Sequence, residues 1–405
     1  MSEQHGAPQW CLETSLVHAG ERVAAPQATP SATPVYNATT YLYPTLEGLE
    51  QAFTTGDGYL YTRHGNPTVA AFEAAVTAAE VGRGAVAYGS GMAALHAALL
   101  AACTPRGETA PQPRSILAAR DLYGSTTVLL DTLFAARDAT VVFTDLCDLA
   151  VAEAALAEQR PDVVLVEQIS NPLLHIVDVA GLAARCHAVG ARLVVDSTIA
   201  TPLLQQPLTL GADLVVHSAT KYLGGHGDAA GGVVVARTGL LHATLVQQAK
   251  LLGASLGPFE AQQLHRGLKT LALRMERQSA SAAQVAHFLA KHPAVTHVYY
   301  PGLAEHPAHA LAAASFGGRF GGLVSCELQG GGASVRPFVD RLKLFLPATT
   351  LGDIYSLVSV PAMASHRELS PAQRAERGIS DGLVRLSVGI EAPADLIADL
   401  AAALG

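Results

Sequence analysis

Short apolar runs recur through the middle of the chain, and stretches with helical spacing separate them. Between residues 114 and 236 the apolar runs are 116–119, 141–143, 163–166, 193–195, 214–216 and 233–235. Each run is continuously apolar, which is typical of strands buried on both faces. Helical segments between the runs, such as residues 181–189, provide the crossovers of a parallel sheet. The pattern predicts an α/β fold with a mostly parallel central sheet flanked by helices.

The pattern changes on either side of this region. Residues 1–57 are rich in Pro, Thr and Ala, and four prolines between residues 26 and 44 break any long helix, so we expect an extended arm. After Gly257, a helical region over 259–291 precedes shorter strands, which predicts a smaller, antiparallel α+β domain. Those strands are expected at 295–300, 323–328 and 383–388. The expected domains are an N-terminal arm (1–65), a sheet domain (66–257) and a C-terminal α+β domain (258–405).

Composition narrows the class of protein. The chain has 405 residues, of which 50% are hydrophobic and 15% charged, and its net charge is -8. Such a chain suits a compact enzyme of two or three domains, and its charge disfavours nucleic acid or an anionic membrane as a partner. The 16 histidines form no metal-binding motif, so we expect no metal. The five cysteines lack paired spacing, and the N-terminus lacks the pattern of a secretory signal, so we expect a cytoplasmic location.

Two reactive side chains follow neighbouring apolar runs. Asp196 comes directly after one run, and Lys221 comes shortly after the next, before a glycine-rich turn. The carboxyl ends of strands in an open α/β sheet border the crevice where ligands bind, so both side chains are expected there. Pyridoxal phosphate requires an amine that forms an imine with its aldehyde and a carboxylate that keeps its pyridine nitrogen protonated. Lys221 and Asp196 are therefore candidates for these two tasks.

The segment Gly89–Leu95 predicts the start of a ligand-binding helix. It follows an apolar run and opens an alanine-rich helix that extends to about Ala102. Glycines at such a position let backbone N–H groups and the positive end of the helix dipole meet a phosphate. The same residues match G-x-G-x-x-A, the dinucleotide fingerprint, so a nicotinamide-dependent oxidoreductase stays open as an alternative. A non-catalytic α/β binding protein is a further alternative.

Five segments, in this order along the chain, resemble one enzyme family. They are residues 61–68, 90–94, 195–196, 218–221 and 383–389. Together they resemble the Cys/Met-metabolism family of pyridoxal-phosphate enzymes, which includes cystathionine γ-synthase, cystathionine γ-lyase and methionine γ-lyase. Five ordered segments are a far more specific signal than any one alone. The resemblance implies a fold-type I, transferase-like α/β architecture, pyridoxal 5'-phosphate as the cofactor and an amino acid as the substrate.

The resemblance implies two sets of ligands for the cofactor phosphate. Those within the chain are the N–H groups or hydroxyls of Gly91, Met92, Ser218 and Thr220. Tyr61 and Arg63 are expected to reach the phosphate of a partner subunit, on which the N-terminal arm packs, and the arginine fork suits that anion. The active site is then complete only in a dimer. We expect a homotetramer made of two such dimers.

The remaining implied roles concern the pyridine ring and the substrate. Lys221 binds the cofactor and removes the α-proton, while Asp196 keeps the ring cationic. Tyr123 stacks on the ring and passes a proton to the leaving sulfur. The implied substrate-binding residues are Asn171, which also contacts the ring hydroxyl, Arg385, which clamps the α-carboxylate, and the backbone around Thr350.

The family implies loss of a γ-substituent, followed by elimination or by replacement with a thiol, and the same residues serve both. Leu60, Val128 and Thr349 are uncharged where members that recognise cystathionine tend to carry charges. This favours an apolar substrate such as methionine or homocysteine over cystathionine. Ser125 stands where methionine γ-lyases usually have cysteine. We expect γ-elimination to 2-oxobutanoate, ammonia and a thiol; the alternative is γ-replacement, as in cystathionine γ-synthase or a homoserine-ester sulfhydrylase.

Overall fold

The computed structural model describes residues 28, 30–103, 115–367 and 369–405. Residues 35–405 form one compact unit that contains two β-sheets. Of the predicted arm, residues 1–27 and residue 29 lie outside the described residues. Helix α1 (Leu46–Thr55) follows the prolines and begins at Thr45, whose side chain accepts a hydrogen bond from the N–H of Gly48. The chain is therefore helical here, although its prolines predicted an extended arm.

The central sheet has seven strands. They are β1 (Gly84–Tyr88), β2 (Ser115–Ala119), β3 (Thr140–Thr144), β4 (Val163–Glu167), β5 (Arg192–Asp196), β6 (Leu214–Ser218) and β7 (Gly232–Ala236). Their spatial order is β1-β7-β6-β5-β4-β2-β3. All pairs from β6 to β3 are parallel, whereas β7 is antiparallel to both β6 and β1. The predicted α/β fold with a mostly parallel sheet is confirmed.

The second sheet has five strands in the order β10-β11-β12-β9-β8. They are β8 (Val295–Tyr299), β9 (Leu323–Leu328), β10 (Leu346–Pro347), β11 (Leu357–Ser359) and β12 (Leu383–Ser387). All neighbours are antiparallel except β10 and β11. The sequence predicted β8, β9 and β12, but β10 and β11 have only two and three residues, too few to show a period.

Helices cover both sheets, and the long helical region predicted over residues 259–291 consists of two helices. The helices after α1 are α2 (Pro67–Ala79), α3 (Gly91–Ala102), α4 (Gly124–Leu129), α5 (Leu149–Gln159), α6 (Val179–Ala188), α7 (Thr201–Leu204), α8 (Gly239–Leu252), α9 (Pro258–Leu268), α10 (Leu271–Leu289), α11 (His309–Ser315), α12 (Gly332–Arg341), α13 (Pro371–Glu376) and α14 (Pro393–Leu404). Side chains cap several of them: Asn66, Ser90 and Asp148 each accept a backbone N–H at the starts of α2, α3 and α5. Such a cap stabilises a helix by about 1 kcal/mol.

Each sheet has its own hydrophobic cluster. Strand β4 shows why the central sheet is buried on both faces: all five of its residues are buried, and Val163 to Val166 have no exposed surface. Burying each such aliphatic side chain contributes roughly 1.5–3 kcal/mol. The second cluster joins β9 and β12 to α10, α12 and α14 and includes the fully buried Phe345. Each sheet is therefore packed on an apolar core.

The parallel strands β4, β5 and β6 end at the same edge of the central sheet. Their last residues are Glu167, Asp196 and Ser218, so three polar side chains meet there. In the described part of the chain, no helix combines the length and hydrophobicity needed to span a membrane. Within those same residues, no group of three or more His, Cys, Asp or Glu side chains is arranged to hold a metal ion.

Candidate active site

A cavity of about 260 Å³ lies where these three strands end. The predicted residues that line it are Gly91, Met92, Tyr123, Asn171, Asp196, Ser218, Thr220, Lys221 and Arg385. Thr350 contacts this group, because its hydroxyl accepts a hydrogen bond from Lys221 Nζ at 2.7 Å. Tyr61 and Arg63 do not line the cavity of their own chain. Tyr61 is 43% exposed, and Arg63 Cζ lies 5.9 Å from the centre of the Tyr61 ring.

The environment of Lys221 favours a neutral amine. The lysine follows β6, and its backbone N–H donates to the carbonyl of Ser218 at 3.1 Å. Burial lowers the pKa of the Lys221 amine below its usual value, and the nearby positive charge of Arg385 lowers it further. An uncharged amine is the form that attacks a carbonyl carbon or accepts a proton. The predicted nucleophile is thus prepared by desolvation and by a like charge.

Asp196 ends β5 and is held in place by the next turn. One carboxylate oxygen accepts the N–H of Thr198 at 2.9 Å, and the Thr198 hydroxyl in turn accepts the N–H of Ser218 at 2.8 Å. Burial raises the pKa of the Asp196 carboxyl, while hydrogen bonds from Thr198 oppose that rise. A buried carboxylate fixed in this way is suited to pair with a protonated ring nitrogen.

The start of α3 offers backbone donors to the cavity. Ser90 caps the helix, and its hydroxyl accepts the N–H of Ala93 at 3.1 Å. Gly91 and Met92 occupy the first helical positions, where an α-helix supplies no carbonyl partner for their N–H groups. A Cβ atom added to Gly91 would lie 2.7 Å from the Cβ of Ser218. Glycine therefore allows the helix start and the end of β6 to meet, as a phosphate cradle requires.

The Thr220 hydroxyl has partners of its own. It accepts the N–H of Gly231 at 3.0 Å and lies 3.2 Å from the Gly231 carbonyl, to which it donates. These bonds tie the lysine turn to the start of β7. The resemblance implies that this hydroxyl binds the phosphate. To do so, the hydroxyl must donate its hydrogen to the phosphate instead of to the Gly231 carbonyl, or share it between the two.

Arg385 and Asn171 come from different sheets and meet at the cavity. Arg385 Nη1 donates to Asn171 Oδ1 at 3.0 Å, and Nη2 donates to the carbonyl of Thr350 at 2.8 Å. The Nε atom is buried without a hydrogen-bond partner. Burial lowers the pKa of Arg385 to about 10. Neither hydrogen-bond partner of this buried guanidinium is a carboxylate, so the group is suited to bind the carboxylate of a ligand.

Glu167 is a cavity residue that the sequence analysis did not single out. It lines the cavity and is the cross-strand partner of Asp196 in the β4–β5 pair. Both acids directly follow a continuous apolar run, so the pattern that identified Asp196 was also present before Glu167. The remaining lining residues outside the predicted set are Ser90, Leu95, Thr126, Ile169, Thr198, Ile199, Thr349 and Leu351.

Comparison with known proteins agrees with this geometry. Residues 13–405 match the model of the family described as Cys/Met metabolism PLP-dependent enzyme. This chain belongs to that family. Its cofactor is accordingly pyridoxal 5'-phosphate (PLP), and the nicotinamide-dependent alternative raised by the Gly89–Leu95 segment is set aside.

Individual relatives of this Cys/Met-metabolism enzyme cover almost the whole chain. L-methionine γ-lyase of Pseudomonas putida is 42% identical over 92% of both chains. Cystathionine γ-synthase of Mycobacterium bovis is 40% identical over 97% of this chain and 96% of its own. A crystal structure of cystathionine γ-synthase from Xanthomonas oryzae pv. oryzae, in complex with aminoacrylate and cysteine, matches with a TM-score of 0.85 at 40% identity over 92% of both chains.

The residues of the cavity fit the family's cofactor. Free N–H groups at the start of α3 and the Ser218 hydroxyl would hold the phosphate, Asp196 would face the pyridine nitrogen, and Lys221 would carry the aldehyde carbon. When bound, PLP withdraws electrons from the α-carbon of an amino acid and so weakens the bonds around it. The chain supplies the surrounding acids, bases and carboxylate-binding groups.

Proposed function

We propose that the chain catalyses γ-elimination on sulfur amino acids, with methionine or homocysteine favoured and cystathionine possible as a substrate. The products would be 2-oxobutanoate, ammonia and a thiol. The observation that carries the proposal is the lining beyond the cofactor-binding side chains, where Ile169, Ile199, Thr349 and Leu351 are all uncharged. Such walls suit an apolar thioether and leave a second ammonium group poorly solvated. The 42% identity to a methionine γ-lyase supports the same choice.

Each side chain has a separate task in this proposal. Arg385 binds the α-carboxylate, with Asn171 fixing the plane of the guanidinium. Lys221 accepts the α-proton as a neutral amine, and its bond to the Thr350 hydroxyl holds Nζ at the cavity wall while the amine is not joined to the cofactor. Asp196 stays anionic beside the ring nitrogen. The Tyr123 phenol donates a proton to the departing sulfur.

Replacement at the γ-carbon is the second candidate function. It uses the same residues, and an incoming thiol takes the place of the lost group. The 40% identity to a cystathionine γ-synthase favours it, as does Ser125, which stands where methionine γ-lyases usually have cysteine. The two reactions therefore have to be separated by substrate and product, since the catalytic residues do not distinguish them.

The test is an assay of purified holoenzyme with single substrates. Methionine, homocysteine, cystathionine and an O-acylated homoserine are supplied separately, with and without added cysteine, and 2-oxobutanoate and thioether products are measured. Elimination predicts 2-oxobutanoate from methionine or homocysteine without an added thiol. Product that forms only from acylated homoserine plus thiol would assign the chain to γ-replacement. A yellow colour that borohydride bleaches, with the label on Lys221, checks the lysine in either case.

The proposal extends to a dimer in which Tyr61 and Arg63 complete the partner's site, with two dimers forming a tetramer. Their absence from the cavity lining and the exposure of Tyr61 support this arrangement. Mixing Arg63→Ala with Lys221→Ala after dissociation tests it, because each hybrid dimer regains one intact site. Random pairing of the two inactive variants then restores about a quarter of wild-type activity. Activity that stays at background after verified subunit exchange would show that each chain builds its site alone.

The domain division and the location are also proposals. The division into residues 1–65, 66–257 and 258–405 is supported by the separate hydrophobic cluster of the second sheet. The described cysteines, Cys103, Cys147, Cys186 and Cys326, carry free thiols, which supports a reducing compartment such as the cytoplasm. Limited proteolysis and fractionation of cells would test these two assignments.

A further inference from the structure

Glu167 accepts hydrogen bonds from two of the predicted site residues, Tyr123 and Asn171. It ends β4, is 8% exposed, and uses its two carboxylate oxygens for two different segments. Oε1 accepts the backbone N–H of Tyr123 at 2.5 Å, and Oε2 accepts the backbone N–H of Asn171 at 3.1 Å. One side chain thus bridges the loop after β2 and the loop after β4. We propose that Glu167 is a positioning residue that sets the Tyr123 ring and the Asn171 amide around the cofactor.

The Tyr123 side of this bridge is a backbone hydrogen bond at the start of α4. Tyr123 precedes α4 without a side-chain cap, and the residue is 37% exposed. Its carbonyl accepts the N–H groups of Thr126 and Thr127, which fixes the following helix, while its own N–H is fixed by the bond to Glu167. Loss of that bond frees the backbone from which the ring projects. The ring then loses a single orientation over the cavity.

The Asn171 side transmits the same constraint to the substrate clamp. Asn171 is buried, and its side-chain oxygen accepts the hydrogen bond from Arg385 Nη1. A shift of the Asn171 backbone therefore moves the partner that sets the plane of the guanidinium. Glu167 does not touch Arg385 in this chain of contacts; it acts through Asn171.

Glu167 and its neighbour Asp196 affect each other's ionisation. The two acids pair across β4 and β5, and both line the cavity. Burial raises the pKa of Glu167 well above its usual value, and the Asp196 charge raises it further. Two adjacent buried carboxylates do not both ionise readily. Because the charge of Asp196 raises the pKa of Glu167, Asp196 is the acid of the pair that ionises first.

The test compares Glu167→Gln with Glu73→Gln, each purified as holoenzyme. Gln at 167 keeps one acceptor oxygen and replaces the other by an NH₂ group that cannot accept an N–H. Glu73 is a matched control, because its carboxylate also accepts a backbone N–H, that of Ala87 at 2.8 Å, and burial raises its pKa to about 7. Glu73 does not line the cavity in the described structure. Readouts are the visible circular dichroism of bound PLP, the PLP dissociation constant, kcat, KM and the melting temperature.

The proposal predicts that Glu167→Gln alters the visible circular dichroism and lowers kcat by about 10- to 100-fold, the scale of a displaced catalytic group. Glu73→Gln keeps both properties of wild type, even if its melting temperature falls. Glu167→Gln with wild-type dichroism and a kcat within about twofold of wild type would overturn the proposal. If that variant does not fold, Glu167→Asp serves instead, since it withdraws both oxygens by about 1.5 Å, one C–C bond. Wild-type dichroism and kcat in Glu167→Asp would likewise overturn the proposal.

These readouts do not depend on the proposed γ-elimination. The dichroism and the PLP dissociation constant are measured without substrate, and kcat is compared on whichever substrate the wild-type enzyme turns over. A chain that proves to be a γ-replacement enzyme leaves the Glu167 inference intact. A normal spectrum together with a normal kcat in the variant removes the inference while leaving the proposed reaction untouched.

Discussion

Replacement of Arg385 by Gln is expected to remove activity without a matching loss of stability. Burial lowers the pKa of Arg385 from 12.5 to about 10, which corresponds to about 3 kcal/mol by which the folded site disfavours its charge. Because the folded pKa is depressed, this penalty is fully present at pH 7 and fades only above pH 10. Gln loses two hydrogen bonds to Asn171 and Thr350, each to a charged donor and worth about 1.5–3 kcal/mol. Together the two bonds are worth about 3–6 kcal/mol, so the relief offsets half or more of the loss and the free energy of unfolding falls by no more than about 3 kcal/mol.

Activity should respond differently, because in the proposed role of Arg385 the substrate carboxylate loses its charged partner. Two charge-assisted hydrogen bonds to a carboxylate are worth about 3 kcal/mol or more together, so kcat/KM is expected to fall at least about 100-fold. This fall in kcat/KM should appear mainly as a rise in KM, since the carboxylate is bound equally in the ground state and the transition state. Initial rates over a range of substrate concentrations and thermal melts of the holoenzyme provide both numbers.

Arg274→Gln is the matched control for stability. Arg274 is also buried, and burial lowers its pKa to about 10 as well. Its donors, however, are satisfied by backbone carbonyls of Tyr222, Leu223 and Gly267 around the lysine turn. This variant should melt several degrees lower. If Arg385→Gln instead melts as low as Arg274→Gln and retains kcat/KM within about fivefold, Arg385 is structural and the reasoning is refuted.

Three further predictions concern the cofactor and the lysine. Gly91→Ala places a Cβ atom 2.7 Å from the Cβ of Ser218, so PLP affinity should fall at least about tenfold in an absorbance titration; tight binding would contradict the cradle. Asp196→Asn removes the anion that is proposed to face the ring nitrogen and should lower kcat by more than about 100-fold with PLP still bound. Thr350→Val removes the acceptor of Lys221 Nζ, and leaving this buried donor without a partner costs about 1–3 kcal/mol. The variant should therefore lower the pH at which an acylating reagent labels half of the free amine.

Much of the central sheet was predictable, because strands buried on both faces leave continuous apolar runs in the sequence. The positions of Asp196 and Lys221 followed from the same runs. Short strands such as Leu346–Pro347 carry no period, and their existence depends on the neighbouring strand Leu357–Ser359. Local sequence therefore could not specify them.

The sequence predicted many of the residues that gather at the cavity, but it did not predict the contacts between them. The bonds from Arg385 to Asn171 and from Lys221 to Thr350 join residues 214 and 129 positions apart, so they depend on how the sheets pack. The sequence did not single out Glu167, because the resemblance assigns it no role. Its hydrogen bonds are to the backbone N–H groups of Tyr123 and Asn171, and such bonds leave no pattern in the sequence. The Thr220 hydroxyl, implied as a phosphate ligand, is engaged with Gly231, which only the folded turn reveals.

The guanidinium on β12 belongs to the second sheet, whereas its amide partner follows β4 of the first. Any hinge-like opening of the crevice must stretch that link. A ligand carboxylate bound by Arg385 would therefore meet a cation that already joins the second sheet to the loop after β4, so such a ligand would add a third partner to an existing cross-link.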